Sequence, residues 1–494
     1  MTAIDVRISD LIEPGVSLAR GDAGTGIASV TSDSRAVGPG ALFAALPGTR
    51  ADGTRFVAEA ALRGAVAVLG PRGVAAPPGV AVLEADNPRR ALARAAARFH
   101  GLQPATICAV TGTSGKTSVA EFTRQVWTTL GRSAASLGTL GVVAPGRRVH
   151  GALTTPDPVS LHAELALLAR EGVTHLAMEA SSHGLDQYRL DGVELAAGAF
   201  TNLSRDHLDY HPSMEAYLEA KLRLFAELLP PGAAAVANAD EPAFARIADI
   251  AARRGLRLVG FGRAGREIRL VGQELDAEGQ RLELELFGAR VELRLPLAGA
   301  FQAMNALAAL GLACGSGAEP RWAAQALASL AGVPGRLQRA APAREGAAVY
   351  VDYAHKPEAL RTLLATLRPH ARRELVVVFG CGGERDPGKR PMMGEIAPRL
   401  ADRVYVTDDN PRGEPPAAIR RQVLDACPGA TEVASRREAI FRAVASLRRG
   451  DVLVVAGKGH ERGQVEAGVT HPFDDVEVAR AAVAADGGEA EPRP

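Results

Sequence analysis

The chain has 494 residues, 47% of them apolar, with 57 Lys and Arg set against 56 Asp and Glu. That balance leaves no global field to draw nucleic acid or an anionic membrane, so any basic site is local. The length allows about three domains at ~150 residues each, and Cys108, Cys314, Cys381 and Cys427, far apart and without a C-x-x-C pair, argue against a zinc site or a disulfide framework.

Met1 to Leu18 shows no basic patch followed by an apolar core, and no apolar run approaches the ~20 residues of a spanning helix. The expectation is a soluble cytoplasmic monomer with no nucleic-acid partner and no membrane insertion. Residues 1–101 alternate short apolar runs with helical patterns, and Ala41 to Leu46, Ala65 to Leu69 and Val80 to Leu83 read as strands of a small α/β unit. Within it, Thr31 to Arg35 and Gly48 to Gly53 are polar loops rich in hydroxyls and backbone donors; alone, each reads first as a capped turn. Gly101 and Pro104 mark the end of this region.

Thr106 to Val110 then reads as a buried strand, and Val119, Phe122, Val126 and Leu130 as one face of a helix. Between them lies Thr111-Gly112-Thr113-Ser114-Gly115-Lys116-Thr117. A glycine-rich turn between strand and helix aims backbone N–H groups at phosphate oxygens, Lys116 adds a point charge, and Thr117 falls where a P-loop places its Mg²⁺ hydroxyl. Val110 stands where the long form of the pattern has its first glycine, so the loop is a variant.

Asp157-Pro158 starts a helix carrying Leu161, Leu165 and Leu168. The next strand, Leu176 to Met178, delivers Glu179 at its C-terminal end, where open parallel sheets build their sites. Glu179 reads either as a Mg²⁺ ligand or as an acid that caps a turn. A further strand, Ala196 to Phe200, leads into Thr201 to His211, which packs two histidines and two aspartates into a few residues and suits metal or phosphate chemistry. On the helix after Ser213, Lys221 shares the inward face with Met214, Tyr217, Leu218, Phe225 and Leu228. Such a lysine either snorkels past the core edge or is a desolvated amine with a lowered pKa, able to take up CO₂ as a carbamate.

From Glu267 to Leu297 the pattern turns to strict alternation, the mark of antiparallel strands with one wet face. Asn305, on a helix of Ala and Leu, suits an adenine edge or a tolerated packing position. Gly332 to Arg336 is a breaker cluster, and beyond it Val349 to Val351, Leu375 to Phe379, Val404 to Val406 and Val452 to Val455 read as strands of a Rossmann-like α/β domain. Polar clusters follow each: Asp352 to Lys356, Gly380 to Asp386, Asp408 to Arg412 and Gly457 to Glu461. At the ends of parallel strands they describe one composite rim.

The order and spacing of Thr111 to Thr117, Glu179-Ala180-Ser181-Ser182-His183-Gly184, Thr201-Asn202, Asp206-His207-Leu208-Asp209 and Ala220-Lys221 resemble the Mur ligases along essentially the whole chain. Ser114 stands where many members have Asn, and Lys356 where Thr is common. The resemblance implies an α/β protein of three domains: a UDP-binding domain over 1–101, a central P-loop ATPase domain over 102–335 with a mostly parallel sheet plus antiparallel strands, and a mobile, Rossmann-like amino-acid-binding domain over 336–494.

The chain is similar to members that add the third residue of the peptidoglycan stem peptide. That implies UDP-N-acetylmuramoyl-L-alanyl-D-glutamate, meso-2,6-diaminopimelate and ATP as substrates, Mg²⁺ and a CO₂-derived carbamate on Lys221, and a part in cell-wall growth, shape and division. By the same resemblance, Gly112, Thr113, Ser114, Gly115, Lys116 and Thr117 would hold ATP with Asn305, Arg336 and Asp352. Thr117 and Glu179 would hold one Mg²⁺, and His207 with carbamylated Lys221 a second. Ser34 and the Gly48 to Gly53 loop would meet the uridine diphosphate, and Thr154, Thr155, Ser181, Gln187 and Arg189 the muramoyl peptide. Arg385, Asp409, Asn410, Arg412, Gly457 and Glu461 would form the amino-acid pocket.

Two other classes stay open from the sequence. A P-loop switch or motor explains the phosphate loop but needs neither an inward Lys221 nor four polar strand ends. A folylpolyglutamate synthase or another Mur enzyme explains all but the N-terminal loops and the Asp409 to Arg412 motif.

Overall fold

Capping residues delimit the helices that the periodicity predicts. Asn87 accepts from the Arg90 amide ahead of helix Pro88–His100, which Gly101 ends in the left-handed conformation. Asp157 accepts from the amides of Val159 and Ser160 at the start of Pro158–Arg170, and Ser213 from that of Ala216 ahead of Met214–Arg223. The last helix widens into a π turn, Leu224–Leu228, which keeps Leu224 and Phe225 in the core.

The computed structural model describes residues 6–48, 52–149, 151, 153–204, 206–207, 210–335, 337–342, 346–459 and 461–487. The chain forms two units, Met1–Arg266 with Ala308–Ala323, and Glu267–Leu307 with Ala324–Pro494.

In the first unit, one sheet runs in the order Val16–Arg20, Ala81–Ala85, Ala65–Pro71, Ala41–Ala44, Ser29–Thr31, parallel except for its first pair. The edge strands Val16–Arg20 and Ser29–Thr31 escape the sequence pattern because most of their side chains are not buried, so no apolar run marks them. The larger sheet places Thr106–Thr111 between His175–Glu179 and Leu195–Phe200, all parallel. Glu179 pairs with Val110 and Phe200 with Thr111, so three strands end level. The register delivers the phosphate loop, the Glu179 carboxylate and the loop after Phe200 to one edge. Ile107, Ala109, Leu161, Leu165, Leu176, Met178, Phe200, Leu222 and Phe225 pack the layer behind them; each large apolar side chain so buried contributes about 2 kcal/mol.

In the second unit, Ile268–Asp276, Gly279–Leu286 and Ala289–Leu295 form the expected antiparallel ribbon, with Leu282, Leu284 and Leu286 buried at alternate positions. The other main sheet has the order Gln338–Pro342, Ala348–Asp352, Val452–Ala456, Leu375–Phe379, Arg403–Val406, Thr431–Glu432, parallel after an antiparallel first pair. Beyond it, Gly463–Glu466 and Val469–Pro472 make a hairpin absent from the sequence reading. Among the described residues no helix is long and apolar enough to cross a membrane.

Candidate active site

The phosphate loop is braced from the strand next to it. Gly112 takes φ 143° and Gly115 φ 86°, and a Cβ on Gly112 would overlap the Thr201 hydroxyl. Thr201 Oγ1 donates to the Ser114 carbonyl at 2.7 Å, Ser114 N to Asn202 Oδ1 at 2.9 Å, and Thr113 N to the Asn202 carbonyl at 2.9 Å. Tyr217 adds a bond from its hydroxyl to Thr113 Oγ1 at 3.3 Å. The Thr201-Asn202 pair therefore shapes the loop, a role that becomes visible only once the two strands are neighbours.

Two lysines meet at this loop. Lys116 Nζ donates to the carbonyls of Gly112 at 3.0 Å and Thr113 at 2.9 Å. Lys221, 1% exposed, donates to the same Gly112 carbonyl at 2.7 Å and lies 4.2 Å from the Tyr217 ring centroid. It does not snorkel. Burial, and then repulsion from Lys116, bring the Lys221 amine from 10.5 down to about 6, with Asp206 opposing. Burial also lowers Lys116, against the pull of Glu179 and Asp206.

Glu179 is buried and its pKa is raised by that burial, against bonds from Thr139 and Thr117 and the charge of Lys116. Its Oε1 accepts from Thr139 N at 2.7 Å. A Cβ on Gly138 would overlap the same oxygen, so glycine is what admits the carboxylate. His207, in the left-handed region at φ 53°, is exposed beside Asp206 at 3.6 Å. Its ring lies 5.0 Å from that of His183 and 6.1 Å from that of Tyr217. Arg205, Leu208 and Asp209 of this loop, Thr49 to Ala51 of the N-terminal loop, Arg336 and His460 lie outside the described residues.

The residues expected on the muramoyl peptide form one network. Thr154 Oγ1 lies 3.1 Å from that of Thr139. Thr155 Oγ1 donates to the Glu179 carbonyl at 2.9 Å and accepts from Ser181 N at 3.0 Å. Arg189 donates to the Thr155 carbonyl at 2.6 Å and to Gln187 Oε1 at 2.8 Å. Between these two, Tyr188 turns at φ 59° with the Arg223 guanidinium 4.0 Å and that of Arg90 4.9 Å from its ring. Arg223 in turn grips Asp191 at 2.6 and 2.8 Å. None of Tyr188, Arg223 and Asp191 stands out in the sequence, although two charged residues at core positions were a signal to follow. Ser34 lies on the single turn Ser34–Ala36, capped by Asp33.

In the second unit, Asp409, Asn410, Arg412, Gly457 and Glu461 come together. Asn410 Nδ2 donates to Glu461 Oε2 at 2.9 Å. Gly457, at φ 125°, leaves room for Asp409 Oδ2 where a Cβ would collide. Arg412 Nη1 donates to the carbonyls of Gly383 at 2.8 Å and Asn410 at 3.3 Å. Arg385 is exposed on its loop. Asp352 accepts from the amides of Leu337 at 2.8 Å and Ala354 at 2.9 Å, and Asn305, buried, donates to Gln302 Oε1 at 2.8 Å. Buried Lys458 and the buried pair Arg436–Asp475 are unforeseen members of this region.

Family models match over three stretches: the Mur ligase family catalytic domain over residues 26–100, the Mur ligase middle domain over 110–313, and the Mur ligase glutamate ligase domain over 335–459. The chain is 57% identical to a UDP-N-acetylmuramoyl-L-alanyl-D-glutamate--2,6-diaminopimelate ligase of Chelativorans sp. (strain BNC1), over 93% of this chain and 95% of that one. To the ligase of the same name from Bradyrhizobium diazoefficiens it is 54% identical, over 97% and 99%. A solved structure of such a ligase superposes with TM-score 0.81 at 31% identity, covering 98% of this chain and 100% of that one. Mycobacterium tuberculosis folylpolyglutamate synthase complexed with ADP and AMPPCP shares the fold, with TM-score 0.53 at 19% identity over 82% and 96%. The chain belongs to the Mur ligase family.

Proposed function

We propose that this chain is an ATP-dependent amide ligase that joins meso-2,6-diaminopimelate to UDP-N-acetylmuramoyl-L-alanyl-D-glutamate, releasing ADP and phosphate, in cytoplasmic peptidoglycan precursor synthesis. The observation that carries the reading is the buried Lys221 amine held on the phosphate-loop carbonyl of Gly112, a group that a nucleotide switch does not need. Near full-length identity to the two diaminopimelate ligases supports the choice of substrates. We assign 1–101 to the uridine diphosphate, 102–335 to ATP and 336–494 to the amino acid.

A carboxylate is a poor acyl donor, so the γ-phosphoryl group passes first to the D-Glu carboxylate, breaking the γ-phosphorus bond to the bridging oxygen of ADP. Gly112 to Thr117 and Lys116 hold the phosphates and spread their charge. The amine of diaminopimelate then attacks the acyl phosphate, a C–N bond forms, and phosphate leaves from the tetrahedral intermediate. Thr155, Ser181, Gln187 and Arg189 orient the peptide, Ser34 the uridine diphosphate, and Asn305, Arg336 and Asp352 the nucleotide. Arg385, Asp409, Asn410, Arg412, Gly457 and Glu461 hold the incoming amino acid.

Among the described residues no three His, Cys, Asp or Glu side chains gather as a complete ligand set, but a carboxylate and a hydroxyl beside bound phosphate oxygens suit Mg²⁺. Glu179 is a buried carboxylate whose burial raises its pKa, bonded by the Thr117 hydroxyl; hard oxygen donors with excess negative character suit a small divalent cation. Thr117 and Glu179 would hold one ion and His207 with Lys221 a second. When bound, the metal supplies charge neutralisation between the γ-phosphate and the acceptor carboxylate. As a neutral amine Lys221 can add to CO₂, forming an N–C bond and losing a proton to water, which leaves an anionic oxygen donor.

The test is ADP release by the purified chain. It is expected to require both the UDP-linked dipeptide and diaminopimelate. Release that ignores either one overturns the reading in favour of a switch or motor.

A further inference from the structure

Lys458 is fully buried, at 0% exposure, and its ammonium is directed at groups inside the protein. Its Nζ donates to Asn410 Oδ1 at 2.8 Å and to the Gly463 carbonyl at 2.7 Å, and faces Asp409 Oδ1 at 3.5 Å and Glu461 Oε2 at 3.9 Å. At 0% exposure it is closed off from solvent. What it controls is Asn410. That amide oxygen also accepts from Val465 N at 2.9 Å, so two donors converge on one atom. Turning the amide over would set its NH₂ against an ammonium and an N–H, so the orientation is dictated and Nδ2 must face Glu461.

The same anchor holds the backbone. Asn410 and Arg412, on either side of Pro411, take φ 42° and 54°, a left-handed region that is unfavourable for a residue such as arginine. The conformation persists because it is tied on several sides. Arg412 N donates to the Val465 carbonyl at 2.9 Å, and Ala467 N to the Arg412 carbonyl at 2.7 Å. Lys458 ties the Asn410 side chain to the same hairpin, through Gly463. With the backbone so set, Arg412 is carried to Gly383.

We infer that Lys458 is a positioning residue for amino-acid selection: by fixing the Asn410 amide and the left-handed turn at Asn410 and Arg412, it presents Glu461 and Arg412 to an amino acid with a second ammonium and carboxylate. The inference rests on the ligase reading above and adds a residue to it. An ammonium suits the place because it can serve a side-chain oxygen, a carbonyl and a carboxylate at once, which neither methionine nor glutamine of similar length can do.

The experiment compares Lys458→Met and Lys458→Gln with the wild type in steady-state ADP release, varying diaminopimelate, L-lysine, ATP and the UDP-linked dipeptide in turn. In Lys458→Met, KM for diaminopimelate is expected to rise about tenfold or more and the preference over L-lysine to narrow, while KM for ATP stays within about twofold, because the bonds lost, to Asn410 and Gly463, act on a single substrate. Lys458→Gln, which still donates to Asn410, is expected to lie between. A purely structural role would move all the KM values and the melting midpoint together. If Lys458→Met keeps the wild-type KM for diaminopimelate, or if all constants move in step, the inference is overturned. Should Lys458→Met fail to fold, Lys458→Gln decides: wild-type KM for both diaminopimelate and ATP overturns the inference, and a rise for diaminopimelate alone supports it. A wild type whose ADP release ignores diaminopimelate removes the ligase reading and this inference with it, an outcome distinct from an amine-dependent wild type with an indifferent variant.

Discussion

Lys221→Met separates the stability of the site from its function. Burial brings the Lys221 amine from 10.5 to about 6, so the fold keeps it neutral at pH 7.5 whereas the unfolded chain protonates it. Holding the proton off over the three units between 10.5 and 7.5 costs the native state about 4 kcal/mol, at ~1.4 kcal/mol per unit. Methionine has a similar length and no such cost. It gives up one bond to the Gly112 carbonyl, which keeps Lys116 Nζ at 3.0 Å, and the loss of that single bond returns about 1 kcal/mol. In CO₂-free buffer at pH 7.5, Lys221→Met is therefore expected to be more stable by about 3 kcal/mol, a rise in melting midpoint of about 3 °C for a chain of 494 residues.

The sign with pH is fixed. Between pH 6 and 10.5 the unfolded chain binds more protons at Lys221 than the native one, so the wild type gains stability as pH rises and the gap to the variant closes. Bicarbonate adds a second arm: if the proposed carbamate forms on the folded chain, bicarbonate is expected to raise the wild-type midpoint and to leave that of the variant unchanged. ADP release by Lys221→Met should fall at least ~10²-fold, with acetate restoring part of it in Lys221→Ala, where a cavity exists. Melting scans across pH 7 to 10 with and without bicarbonate make the measurement. A variant no more stable than the wild type at pH 7.5, or a gap that does not change with pH, would refute the reasoning.

Gly138→Ala places a methyl on the Glu179 carboxylate and should displace it from Thr139 N, raising the Mg²⁺ needed for half-maximal ADP release about tenfold and costing about 1–3 kcal/mol of stability; an unchanged Mg²⁺ titration argues against Glu179 as a ligand. Arg412→Lys removes a planar fork, so a wild-type preference for diaminopimelate over L-lysine of ~10²-fold in kcat/KM should shrink by an order of magnitude; a preference that survives clears Arg412 of the role. His370 accepts from Gly299 N at 2.7 Å and donates from Nδ1 to the Asp276 carbonyl at 2.7 Å, and burial lowers its pKa below 6.5. Stability should thus fall as pH drops below 6.5, when the unfolded chain takes up the proton first, and His370→Gln should flatten that acid limb of the melting curve.

The phosphate-loop edge of the larger sheet was legible in the sequence because its signals are local. The run from Thr106 to Val126 carries strand, glycine turn and helix in order, and the turn geometry follows from Gly112 and Gly115. Lys221 was legible through helical phase, since five apolar neighbours at that spacing fix which way it points. Glu179 was legible as a strand end. In each case a few covalently linked residues contain the physical constraint.

What the tertiary structure alone decided is which of these local features face one another. The placing of Thr106–Thr111 between His175–Glu179 and Leu195–Phe200 is a long-range pairing that no short window contains. It is what brings Thr201 and Asn202 onto the phosphate loop and Lys221 onto Gly112. Lys458 shows the same limit: in the sequence it is one more lysine in a polar loop, and its meaning appears only when the hairpin Gly463–Glu466 folds back beside Asn410 and burial leaves the ammonium no solvent to satisfy it. Sequence specifies the groups and their local conformation; desolvation and mutual charge, which set the Lys221 pKa and the Asn410 orientation, are properties of the packed ensemble of neighbours and exist only after folding.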